Sequence, residues 1–208
     1  MMYKTDIANM ALGRLGISST ITDLESDIST EAQILKRHFR LSLDYLLEQH
    51  QWNFARKTIA LSKQFDNPEP SWAFSYNMPA DCLVIRQIAY NGNFIQSVEM
   101  HPGDKIPFTE VVVGGVPLIY TNLSNAHAEY TRRIEENGAF PNHFGRALSA
   151  QLSMDIAPSL ITSNYVKIKA SLNEDAFNDV AAGIADDLAR QPQFTEADSP
   201  FIKARHRS

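Results

Sequence analysis

Residues 48–62 read EQHQWNFARKTIALS, and two kinds of periodicity meet in this stretch. Upstream of Trp52 the apolar residues recur at helical spacing. Downstream of Arg56 they alternate, with Ile59 and Leu61 on one face. A helix therefore leaves here and a β-rich region begins. Trp52 and Phe54 sit at that exit beside Arg56 and Lys57. They form either a lid on the core or an exposed aromatic site for a partner. A residue just past a helix end often packs back on its last turns. Most large aromatics are substantially buried, so the spacing favours the core.

Working towards the N-terminus, the helix that exits at His50 starts from Asp27 or Ser29, with Glu31 in its first turn. Ala32, Leu35, Phe39, Leu43 and Leu46 make one apolar stripe, and Lys36, Arg37, Arg40 and Asp44 fall away from it. A first helix, capped by Thr5, carries Ile7, Met10, Ala11 and Leu15 and stops at Gly16. Between the two helices, ISSTITDLESD is turn-like, with Ile17, Ile21 and Leu24 as anchors.

Working towards the C-terminus, KQFDNPEPS (residues 63–71) is a loop by its two prolines. Leu83–Tyr90 reads as a strand. Asn91-Gly92 predicts a hairpin returning through Phe94-Ile95, and Gly114-Gly115 predicts another between Val111–Val113 and Val116–Tyr120. Ala126–Ile134 is a further strand. Helical periodicity returns from Pro141 or Asn142, with Phe144, Leu148, Leu152 and Ile156, and Pro158 ends or kinks that helix. A last helix, capped by Thr162 or Ser163, places Val166, Ala170, Phe177, Val180, Ile184 and Leu188 on its inner stripe. It would span roughly 40 Å at about 1.5 Å per residue. QPQFTEADSPFIKARHRS has no periodicity and a basic end. The expected fold class is α+β, a helical bundle with a β-rich insertion between the second and third long helices and an extended C-terminal tail. The expected domains are residues 1–55 and 135–191 for the bundle, 56–134 for the insertion and 192–208 for the tail.

Bulk properties restrict the function classes. A chain of 208 residues with 44% hydrophobic and 21% charged residues has the composition of an ordinary globular protein. The single cysteine, Cys82, excludes an internal disulfide. The net charge of −5 argues against tight nucleic-acid binding. An acidic surface would repel phosphates and let DNA pass along it. No stretch resembles a signal-peptide core or a membrane span, so a soluble cytoplasmic product without membrane contact is expected.

No catalytic constellation emerges. His38, His50, His101, His127, His143 and His206 lack zinc-site spacing, so no metal and no cofactor is expected. There is no G-x-S-x-G elbow, and Gly114-Gly115 lacks the context of a phosphate loop. Asp81 beside Cys82 raises a thiol pKa rather than activating it. The carboxylate pairs Glu135-Glu136, Glu174-Asp175 and Asp186-Asp187 read as solvated helix faces.

Four motifs occur in a fixed order: IANMALGRLGIS, then LLEQHQWNFARKTIALS, then WAFSYNMPADCLVIRQI, then YTNLSNAHAEYTRRI before two closing helices. Together they resemble the tail tubular protein A family, the head-to-tail adaptors of short-tailed bacteriophages, over about residues 5–190. The resemblance implies a virion structural protein and not an enzyme. Its members form a twelve-fold ring beneath the portal that extends the DNA channel and carries the next tail protein, or nozzle. The implied partners are the portal protein, that tail protein, and further copies of the same chain, with DNA passing through unread. The implied location is the head–tail interface of the virion, after synthesis in the host cytoplasm. In the basic tail, Phe194, Phe201 and Ile202 would be portal-docking anchors, and Lys203, Arg205 and Arg207 would meet acidic partner surface. Two other classes compete: a cell-wall hydrolase acting during DNA delivery, and a cellular interaction module built on the long helix.

Overall fold

The structure is a computed structural model, and it describes residues 1–18, 20–90, 106–134, 140–161 and 165–190. Two helices come first, α1 (Lys4–Arg14) and α2 (Thr30–Gln49). Seven strands follow: β1 (Arg56–Ala60), β2 (Lys63–Glu69), β3 (Trp72–Asn77), β4 (Cys82–Tyr90), β5 (Phe108–Val113), β6 (Val116–Thr121) and β7 (Ala126–Arg132). Helices α3 (Asn142–Leu160) and α4 (Tyr165–Ala189) close the order.

This corrects the expected α+β fold class of a helical bundle carrying a β-rich insertion. The described chain has four helices and seven strands, and the strands form two antiparallel sheets, β1-β7-β4 and β2-β3-β6-β5. The sheets share a core of their own, in which Tyr76 and Ile119 from one meet Ile85, Ile88, Ala128 and Tyr130 from the other. Ile85 and Ile88 face the same way because a bulge between Ile85 and Gln87 shifts the register. The other side of the first sheet joins the helices, since Ala55, Leu83 and Ile134 pack into the helical core. Strand β7 is consequently buried on both faces. Alternation along a strand is the pattern of one wet face, but here Glu129 and Thr131 are polar residues facing inward.

Residues 63–71 are also not a loop. β2 occupies most of them, at the edge of the second sheet and with irregular register against β3. An edge strand tolerates Pro68 because its N–H side need not donate to a neighbour. The Gly114-Gly115 hairpin forms as expected. Val113 pairs with Val116, and both glycines have positive φ (59° and 83°), as a two-residue type I′ turn requires. The Asn91-Gly92 hairpin, the Thr162 or Ser163 cap and the tail beyond residue 190 lie outside the described residues.

The helices keep most of their expected limits. Ser29 caps α2, its hydroxyl accepting from the Ala32 N–H at 3.3 Å. The stripe Ala32, Leu35, Phe39, Leu43 and Leu46 is buried as expected. α1 begins one residue before Thr5, and Asp6 accepts from the Tyr3 N–H at 2.9 Å. Thr5 instead accepts from the Leu24 N–H at 3.1 Å. Asn9 holds Ile21 through both its amide groups, at 2.8 and 2.9 Å, which pins the α1–α2 loop to the first helix.

α3 is the central helix, packed against α1, α2 and α4. It is buried almost all round, from Phe144 to Ala157, and ends two residues after Pro158. α4 is helical over 25 residues, and of its expected inner stripe Val180 and Ile184 pack against the helical core, but the rest of the inner face differs. Leu172, Ala176, Gly183 and Asp187 are its buried positions, while Ala170, Phe177 and Leu188 are exposed. An apolar count selected the neighbouring face because the true inner face uses carboxylates: Asp179 pairs with Arg14 at 2.6 Å and Asp187 is buried. At Gly183 the two helices come close. A side-chain carbon there would lie 3.3 Å from Ala147 Cβ and 3.4 Å from the Trp52 ring.

Trp52 is fully buried and its indole N–H donates to the Leu46 carbonyl at 2.9 Å. Its ring meets Phe144 edge-on with centroids 4.9 Å apart, and Phe54 meets the same Phe144 at 4.7 Å. Trp52→Ala is expected to destabilise the protein by about 3–5 kcal/mol, the range for emptying a buried large aromatic site. Denaturant unfolding measures it, and a near-native midpoint would return Trp52 to the binding candidates.

Candidate functional site

Three features of the described residues combine specific chemistry or uncovered apolar surface. The first is the junction between α2 and β1. α2 ends against β4, with Leu47 buried, His50 half-buried and Glu48 and Gln49 exposed, and its last carbonyls need donors. Arg86 on β4 supplies them. One guanidinium nitrogen donates to the carbonyls of Leu47, Glu48 and His50 at 2.9–3.0 Å, and Nε donates to Thr131 Oγ1 at 2.9 Å. Beside it, buried Glu129 on β7 accepts from Gln51 and Arg56 and, at 3.4 Å, from Gln87. A carboxylate is tolerated at that depth only when so paired.

Asp187 of α4 closes the junction from the other side. Its carboxylate accepts the Asn53 backbone N–H at 3.2–3.3 Å, and its own backbone carbonyl accepts from the Asn53 side chain at 2.9 Å. His50 Nε2 lies 3.2 Å from Asp187 Oδ2, and His143 Nε2 lies 3.6 Å from Oδ1. The Trp52 ring touches both imidazoles, edge-on to His50 and stacked on His143. His143 Nε2 is buried and has no hydrogen-bond partner. The expectation that Asp186-Asp187 is a solvated pair is therefore corrected: Asp186 is exposed and Asp187 is interior. Glu174 and Asp175 are exposed, as expected, and Glu135-Glu136 lie outside the described residues.

A smaller cluster lies where β1 meets the start of β4. Asp81 accepts from Lys57 and from the Tyr130 hydroxyl, each at 2.7 Å. Burial pushes the Asp81 carboxyl up, but these two donors outweigh it and hold the group below its ordinary value. The same bond, after burial, raises the Tyr130 phenol. The Cys82 thiol is pushed up to about 12, first by burial and then by the charges of Glu110 and Asp81. Burial is thus a larger cause than the adjacent Asp81 expected from the sequence.

The second feature is a groove. α2 and α4 both pack on α3 and stand apart from each other. Tyr45 on α2, Met154 on α3, and Phe177, Val180, Ala181 and Ile184 on α4 line an open groove of about 380 Å³. Phe177 is 74% exposed and Tyr45 50%, so the walls are wet and mostly apolar, with Gln49, Gln151 and Asn173 also lining the groove. The third feature is the tip of the β5–β6 hairpin, where Val112, Val113 and Val116 are exposed. Patches of this kind mark interaction surfaces more often than isolated exposed residues do.

Of the residues singled out in the sequence, Trp52 and Phe54 fall in the core, and His50 and His143 meet at Asp187. His38 and His127 do not join them. The proposed docking residues Phe194, Phe201, Ile202, Lys203, Arg205 and Arg207 lie outside the described residues. Among the described residues no group of three or more His, Cys, Asp or Glu is placed to hold a metal ion, and no helix is long and apolar enough to cross a membrane. Sequence reasoning missed Arg86, Glu129 and Asp187. The one available signal was a charged residue at an otherwise inward position of a strand or helix, such as Glu129 between Ala128 and Tyr130. No protein-family model matches the chain, and no curated protein matches it.

Two outcomes test this account. Asp187→Ala removes the acceptor for a buried N–H and is expected to cost about 1–3 kcal/mol, read by denaturant unfolding; an unchanged midpoint would mean that α4 is held by packing alone. A thiol held up to about 12 is almost wholly protonated near neutral pH. Maleimide labelling of Cys82 in the folded protein is therefore expected to run roughly a hundredfold slower than after unfolding, and equal rates would show that burial does not protect it.

Proposed function

We propose that the protein is a head-to-tail adaptor of a short-tailed bacteriophage, forming a ring beneath the portal that extends the DNA channel and carries the next tail protein. The observation that carries this reading is the ordered set of four motifs that resembles the tail tubular protein A family. Three further observations support it. The helices leave an apolar groove uncovered, and the β5–β6 hairpin tip is a second apolar surface sharing no residue with the groove. Two different sticky surfaces on one chain suit the head-to-tail contacts of a closed ring better than a two-fold dimer. α4, at 25 residues, is roughly 38 Å long at about 1.5 Å per residue, enough to serve as a strut between neighbours. The net charge of −5 suits a channel lining that DNA slides past.

On this reading the copies number twelve, to match the portal. Phe194, Phe201 and Ile202, with Lys203, Arg205 and Arg207, are the contacts offered to the portal. Mixing the purified protein with portal rings and imaging the mixture tests the proposal. An added ring of density below the portal is the expected result. Bare portals under assembly conditions would overturn it, whereas a monomer in the absence of portal would not, because such rings can need their template.

A further inference from the structure

We infer that the tip of the β5–β6 hairpin of one copy seats in the α2–α4 groove of a second copy. The inference rests on the adaptor reading for the closure of such contacts into a ring; the contact itself rests on the two surfaces.

The tip projects and is apolar on both faces. The ladder between β6 and β3 runs only from Leu118 to Thr121, so among the described residues the turn and its flanking valines extend beyond β3. Residues paired across a hairpin share a face, and successive residues alternate. Val113 and Val116 therefore lie on one face, and Val112 and Pro117 on the other. Val112 is 72% exposed, and Val113 and Val116 are 48% exposed each. A side-chain carbon at either turn glycine would meet open space. A surface that lies flat on a partner buries one face. A blade that is apolar on both faces leaves water completely only between two walls.

The groove supplies two walls. α2 and α4 both run towards the junction, where His50 meets Asp187. Counted back from that contact at about 1.5 Å per residue, Tyr45 and Ala181 stand at about 8 and 9 Å, and Leu41 and Phe177 at about 14 and 15 Å. Tyr45, Ala181 and Phe177 line the groove, and exposed Leu41 continues the α2 side beyond the lining. Arg37 on α2 and Glu174 on α4, both exposed, come next, each about 20 Å back by the same count. The end of the groove far from the junction thus has a basic side and an acidic side.

Charge selects the orientation of the blade. Glu110 is the only charged residue in β5 and β6, it is exposed, and it shares the face of Val112. Two strand residues advance about 7 Å and four helix residues about 6 Å, so Val112 set on Leu41 brings Glu110 level with Arg37. Val113 and Val116 then turn towards α4, between the levels of Phe177 and Ala181. Turned over, the blade would bring Glu110 against Glu174, and like charges repel. Tip and groove share no residue, so the contact is heterologous and repeats from copy to copy.

Disulfide trapping between two differently tagged full-length chains tests the contact, with and without portal rings. In a Cys82→Ser background one chain carries Val113→Cys and the other Ala181→Cys, and the concentrated mixture is oxidised with copper–phenanthroline. The mixed disulfide is the expected main product, several-fold above a control that pairs Val113→Cys with Glu25→Cys. Homodimers through Ala181→Cys as the main product would overturn the inference in favour of a two-fold contact across the groove. A mixed disulfide no more abundant than the control under both conditions would overturn it outright. The outcomes also separate it from the adaptor reading. An added ring beneath the portal without the mixed disulfide removes this contact alone, and the mixed disulfide with bare portals supports the contact and removes the adaptor. A charge exchange reads the orientation. Arg37→Glu on the groove chain should slow formation of the mixed disulfide about threefold, the scale of an exposed ion pair, and Glu110→Arg on the tip chain should restore it. An unchanged rate, or a loss that the second substitution does not restore, would overturn the pairing of Glu110 with Arg37.

Discussion

The chain between Gln49 and Arg56 must end a long helix where it meets the first sheet without leaving its carbonyls there unpaired. Three elements, β4, β7 and α4, contribute to meeting that constraint. On its inner side that end is closed by the fully buried Trp52, while Glu48 and Gln49 face outward. Its terminal carbonyls are met by a guanidinium from β4, the following backbone N–H by a carboxylate from α4, and the next side chains by a carboxylate from β7. Such groups cost more when orphaned than they return when paired, so the junction acts as a specificity device more than as a source of net stability. It also fixes the angle at which helices and sheets meet, because three elements distant in sequence must arrive together.

This explains why the strands are a layer of the fold and not an appendage. An appendage would present one apolar and one wet face. β7 instead places Ala128 and Tyr130 in the core between the sheets, and Glu129 and Thr131 against the helix junction. Its neighbours share the division. β4 sends Ile85 and Ile88 one way and Arg86 the other, an arrangement that the bulge makes possible.

How much of this was legible depended on whether the signal was local. The Ser29 cap, the α2 stripe and the Gly114-Gly115 turn were readable because each is settled by a few adjacent residues. The burial of Trp52 was readable from its place after a helix end. The irregular β2 strand was not, since its two prolines describe a loop unless the strand is known to lie at an edge. The inner face of α4 was not, because Asp179 and Asp187 become interior only through Arg14 and His50, more than a hundred residues away. The same limit applied to Arg86 and Glu129. A lone charge in a strand carries no label for the partner that will neutralise it.

The choice of inner face on α4 also determines what surface remains. Ala176 and Gly183 let the helix lie close on α3, and Gly183 brings it against Trp52. Packing so close on small residues turns the larger ones, Phe177 and Leu188, outward. α2 then cannot cover them, because it too is committed to α3 and turns Leu41 and Tyr45 outward. The groove is thus a consequence of the same contact that holds Asp187 at the junction. A helix that turned Phe177 and Leu188 inward would rotate Asp187 towards water and leave the Asn53 N–H without its acceptor. The fold keeps the polar contact within the chain and leaves the apolar one to be met by something outside the four-helix core.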